Sequence, residues 1–172
     1  MKTKLILAII LILSQLGAYG QDPVQDTIPA YRRSPNFPAF NMMLPDSSTI
    51  FNTYNIPSGR PAMLVCFSPD CSHCQAFFKK FLPAMDSFKN MDIYLVTPSN
   101  QFTAIRKFIE DYHINDYKNI KRVGRDYEFF CFTFYNVRSV PDIAIYDKKK
   151  KFVKYLEKEF TNDEIYSVTS KL

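Results

Sequence analysis

The sequence has no tryptophan, no internal repeat, only two histidines and only four cysteines among 172 residues. It also lacks an apolar run of membrane-spanning length. The N-terminal run, Leu5 to Leu13, is nine residues long, or 12 if carried on to Leu16, where a span takes roughly 20. No cysteine follows that run, which closes the lipoprotein route. A strong charge bias is missing as well: 22 basic against 17 acidic residues give +5, too little to point to nucleic acid. Four cysteines are few for a disulfide framework in a chain this size. A zinc centre lacks its ligands, because Cys71 and Cys74 would need two more. Cys66, Cys131 and His113 show no paired spacing that would supply them.

What is present begins with an export signal. Lys2 and Lys4 form a positive n-region, Leu5 to Leu13 an apolar h-region, and Ala18-Tyr19-Gly20 a small-residue cleavage site. Residues 1–20 are therefore expected to be a signal peptide, cleaved near Gly20, which sends the chain to a periplasmic or extracellular location. Residues 21–36 are rich in proline and polar groups without any period, and read as a flexible N-terminal extension. Residues 37–172 read as one domain.

Within that domain, residues 40–56 alternate apolar positions with turn residues, as in a short hairpin. Ala62 to Phe67 is a continuous apolar run bounded by turn signals, as in a strand buried on both faces. From Cys71 the period becomes helical, with Phe77, Phe78, Phe81, Leu82, Met85 and Phe88 at spacings of three and four. Pro83 falls inside that helix and is expected to kink it. Asp92 to Thr97 reads as a second buried strand, and Phe102, Ile105, Phe108, Ile109 and Tyr112 as a second amphipathic helix. A short strand is expected near Ile120 and another helical stripe over Tyr127, Phe130, Cys131 and Phe134. Asp142 to Tyr146 and Lys151 to Leu156 flank a lysine-rich turn and read as an antiparallel hairpin. Thr161 caps a final helix. Strand, helix, strand, helix implies parallel pairing.

A buried strand running into Cys71-Ser72-His73-Cys74 at a helix start, a proline nine residues on at Pro83, and Val140-Pro141 before a strand hairpin form a recognisable set. The chain resembles the thioredoxin superfamily, and its N-terminal hairpin is similar to that of the exported TlpA/ResA-like thiol–disulfide oxidoreductases. The resemblance implies an α/β, thioredoxin-like fold, a central mixed sheet flanked by helices. It implies Cys71 as the attacking and Cys74 as the resolving cysteine, with no cofactor beyond a redox-active Cys71–Cys74 disulfide. Pro141 matches the proline in a cis peptide that faces the dithiol, and Val140 the residue whose backbone pairs with substrate. The implied partners are protein thiols and disulfides and a membrane electron donor or acceptor for recycling. The chain departs from the pattern at Asp70, where an aromatic often stands, and at Val65, where many relatives carry a buried acid. The dipeptide Ser72-His73 is also unusual.

The residue chemistry suits exchange. Disulfide exchange needs a thiolate, and a helix N-terminus supplies partial positive charge and unpaired N–H groups to stabilise one. A cationic His73 would add to that effect and Asp70 oppose it, so both are candidate pKa-tuning residues. The expected activity is exchange on exported proteins as a reductase. The alternative is a periplasmic copper-binding chaperone using the same cysteines, since soft thiolates suit Cu(I). A peroxidase frame is excluded by Phe67 and Ser68 where it would need proline-spaced threonine. Cys66 and Cys131 read most simply as buried apolar residues; the rival is a second disulfide between them.

Overall fold

The computed structural model describes residues 28–172. The expected signal peptide, its expected cleavage site and the first part of the extension lie outside these residues. Seven strands form one sheet: β1 (Asn41–Met43), β2 (Ile50–Asn52), β3 (Ala62–Cys66), β4 (Asp92–Thr97), β5 (Ile120–Arg125), β6 (Asp142–Tyr146) and β7 (Phe152–Leu156). Their order is β2-β1-β5-β4-β3-β6-β7. β3, β4 and β5 are parallel, and the remaining pairings are antiparallel. The expected α/β fold with a mixed sheet is the one observed.

β3 lies inside the sheet between β4 and β6, and all five of its residues are buried. The pleat sends alternate side chains to opposite faces. Met63 and Val65, followed by Phe67, join one core with Ile93, Leu95 and Ile143; Ala62, Leu64 and Cys66 join the other with Tyr94, Val96 and Tyr146. The first core is covered by α2 (Ser72–Phe81), α3 (Phe102–Asp111) and α5 (Asn162–Thr169) through Phe78, Phe81, Ile105, Phe108 and Ile165. The second is covered by α4 (Phe130–Tyr135) and α1 (Ala30–Arg33) through Cys131, Tyr135 and Tyr31. A strand between two covered faces has no polar side, which is why its sequence is a continuous apolar run.

Three expectations change. The helix starting after Cys71 is not merely kinked by Pro83: its α-helical part stops at Phe81, and Leu82–Phe88 continues as a 3-10 helix with the proline in its first turn. The ring tolerates a helix start because the proline needs no N–H donor there. The strand near Ile120 is a full six-residue strand, its polar positions falling where burial is incomplete. The extension is not wholly flexible. Its described portion includes α1, whose Tyr31 is buried against Tyr135, Tyr155 and Phe152, and Asn36 bridges to Lys151. A four-residue helix is too short to leave a readable period.

Candidate functional site

The site forms where β3 ends and β6 begins. β3 and β6 run antiparallel with Cys66 opposite Asp142, so the residues just after β3 lie beside those just before β6. This register brings Cys71 to Val140, although they are 69 positions apart: the Cys71 Sγ–H donates to the Val140 carbonyl at 3.7 Å. The Val140–Pro141 peptide bond is cis. Cys71, Cys74, Val140 and Pro141 are thus gathered in one place.

Cys71 is the N-cap of α2, with extended backbone angles, and its carbonyl accepts the first helical N–H from Gln75 at 3.0 Å. Its thiol therefore stands at the positive end of a ten-residue helix. The preceding turn is held by Cys71 N–H to the Ser68 carbonyl (3.2 Å) and by the Gln75 side chain to the Pro69 carbonyl (2.9 Å). The two cysteines differ in environment. Cys71 is half-buried; Cys74, one turn in, is fully buried beside Phe67 and Phe78 in the first core. Burial pushes the Cys74 thiol up to about 12. The Ser68 N–H, which donates to its sulfur at 3.4 Å, opposes that rise, and the nearby Cys71 and Asp142 add to it. At neutral pH Cys74 is a thiol, and Cys71 is the more accessible of the two.

His73 and Asp70 are both exposed. They flank Cys71 in the chain, but solvent and salt screen them there. Val65 is fully buried in the first core. Beside the dithiol lies a cavity of about 280 Å³ bordered by His73, Phe77, Pro141, Lys158 and Phe160. A larger one, about 720 Å³, lies away from the cysteines, between Arg60, Pro83 and Lys118. His113, two residues past α3, is left-handed, caps the short 3-10 turn Ile114–Asp116 and does not join the site. Among the described residues no three His, Cys, Asp or Glu side chains gather closely enough to hold a metal ion. No helix among them is long and apolar enough to cross a membrane.

Sequence reasoning missed Asp142. Its side chain is 1 % exposed, on the strand position following Pro141. Oδ2 accepts the Tyr155 hydroxyl at 2.8 Å, while Oδ1 is buried without a hydrogen-bond partner. Burial raises this carboxyl to about 6, against the Tyr155 hydrogen bond. The one available signal was an acid wedged between a proline and an apolar run, which reads equally well as a strand boundary.

No protein-family model matches the sequence, and no curated protein matches it either. Solved structures do. A secreted Mycobacterium tuberculosis disulfide oxidoreductase, homologous to DsbE of E. coli, is 18% identical with a TM-score of 0.63, over 77% of this chain and 96% of that one. The exposed lipoprotein thioredoxin Etrx1 of Streptococcus pneumoniae is 23% identical with a TM-score of 0.59, over 78% of this chain and 100% of that one. A peroxiredoxin-like protein from Aquifex aeolicus is 18% identical with a TM-score of 0.62, over 79% of this chain and 84% of that one. Neighbours with different chemistries at such identities establish the scaffold rather than the reaction. This chain has the thioredoxin fold, with an added N-terminal hairpin on the outer edge of its sheet.

Proposed function

We propose that the protein is a thiol–disulfide oxidoreductase acting on exported protein substrates, with Cys71 as attacking and Cys74 as resolving cysteine. One observation carries this reading: a half-exposed thiol at a helix N-terminus lies 3.7 Å from the Val140 carbonyl, with a second thiol buried one turn behind it. In this reading the Cys71 thiolate attacks a substrate disulfide. A mixed disulfide forms and one substrate thiol leaves. The Cys74 sulfur, on losing its proton, displaces the second substrate thiol and closes Cys71–Cys74. Val140 and Pro141 position an extended substrate segment by strand-like pairing, and the adjoining cavity with Phe77 and Phe160 accepts one of its side chains.

The direction is reductive, with a membrane electron donor regenerating the dithiol; the resemblance to the TlpA/ResA-like proteins supports this, and the N-terminal pattern supports export. The test is mixed-disulfide trapping in Cys74→Ala. Covalent client adducts at Cys71 are expected, absent in Cys71→Ala/Cys74→Ala. Tight Cu(I) binding with no adducts would replace this reading with the copper-carrying one. Equilibration against a glutathione buffer decides direction: a potential well below the glutathione couple supports a reductase, and one well above it reverses the assignment.

A further inference from the structure

The cysteines outside the Cys-x-x-Cys motif are 65 positions apart in the chain and touch. Cys66 Sγ, at the end of β3, lies 3.5 Å from Cys131 Sγ in α4. Both are buried, 2 % and 0 % exposed, in the core on the sheet face opposite Cys74. Bonded sulfurs stand about 2.0 Å apart, so closure needs an approach of about 1.5 Å. α4 is the element able to give it. It is a single short helix, with left-handed residues at both ends, Phe129 and Asn136, and its start is held by Asp126, whose carboxylate accepts the Phe130 and Cys131 N–H groups at 3.1 and 2.8 Å.

We infer that Cys66 and Cys131 are a second redox pair, closing a buried disulfide between β3 and α4 when the protein is oxidised. Two thiols become one S–S bond, releasing two electrons and two protons to a disulfide oxidant that leaves as two thiols. One cysteine attacks the oxidant to give a mixed disulfide and one free thiol; the other then displaces the second thiol. The sheet separates this pair from Cys71–Cys74, so the bridge neither replaces nor drains the exchange site. Its place gives it a consequence for that site. β3 leads into the Cys71 turn, and α4 ends five residues before Val140. A bridge between them ties together the two chain segments that meet at Cys71 and Val140.

The inference is independent of the reaction proposed at Cys71 and is tested without it. The Cys71→Ser/Cys74→Ser variant is reduced, then reoxidised with glutathione disulfide in two arms, one folded and one refolding from denaturant. Each is alkylated under denaturing conditions without reductant and mapped by mass spectrometry. A chain two hydrogens lighter than the reduced one, with a Cys66–Cys131 linked peptide and no alkylated cysteine, is expected in at least the refolding arm. Alkylation of both cysteines in both arms overturns the inference. The bridged form is expected to melt roughly 5–15 °C above the reduced form, because the closed loop is long. A bridged form that melts below the reduced one overturns it as well. Adding Cys131→Ser to the same variant must abolish the linked peptide; a linkage that persists assigns the bond to other atoms.

Discussion

The two thiols of Cys-x-x-Cys are made unlike chiefly by burial. One is half-buried at a helix N-terminus, while the other, raised to about 12, stays protonated at neutral pH. Val65, on β3, is a buried apolar residue and offers no carboxyl here. Asp142 is a buried carboxyl of the same neighbourhood, on a different strand. Its raised value makes a stability prediction. The folded carboxyl titrates near 6, above its ordinary 3.8, so its favourable neutral form is fully present below about pH 4 and is lost as pH rises through 6. Ionising it costs about 2–3 kcal/mol. Asp142→Asn keeps the shape and removes the charge. Urea unfolding from pH 4 to 7 is expected to show the variant gaining on the wild type across that window. Parallel curves would remove Asp142 from the account.

At the scale of elements, strand register does what residue chemistry cannot. Cys66 opposite Asp142 sets Val140 against Cys71, and a slip of β6 by one residue would exchange the faces of its side chains. The hairpin β1–β2 joins the sheet through β5 at a glycine. A Cβ on Gly124 would lie 3.0 Å from Met42 Cβ and Cε and 3.1 Å from the Met43 carbonyl. Gly124→Ala should overpack this joint and cost about 1–3 kcal/mol, read as a lower urea midpoint, with Cys71 reactivity in the folded state unchanged. An unchanged midpoint would mean the hairpin shifts freely on the sheet edge. Most elements were legible because their burial is periodic. β3 is an unbroken apolar run and β4 has one from Ile93 to Val96, α2 and α3 carry stripes at three and four, and Thr161 with Glu164 forms the capping box that starts α5. β5 was read short because only Val123 and Gly124 of its six residues are buried.

Over the whole molecule, the sheet has two covered faces of different make-up. One is packed by the three longer helices; the other is closed by short pieces rich in aromatic rings, among them Tyr135, Tyr146 and Tyr155. The hydroxyls of Tyr135 and Tyr146 hydrogen-bond to each other within this face. Tyr31 completes it, with ring centroids 4.9 Å from Tyr155 and 5.3 Å from Phe152. Tyr31→Ala should therefore cost about 3 kcal/mol, measured by chemical denaturation, although the residue lies in a segment with no readable period. A loss below 0.5 kcal/mol would mean that α1 is dispensable to the fold.

The sequence by itself determined the scaffold and the reactive motif. Alternation, helical spacing and a dithiol at a helix start are local patterns, each written within a dozen residues. It also marked Val140-Pro141, through its place before a hairpin. Tertiary structure alone decided which groups face one another: Cys71 with the Val140 carbonyl, Cys66 with Cys131, Asp142 in the wall below the motif, and Tyr31 on the far core. Those contacts join residues far apart in the chain, and they depend on strand order and register, which no local period encodes. The same dependence makes one cysteine of the motif accessible and the other a buried thiol, although they stand three positions apart.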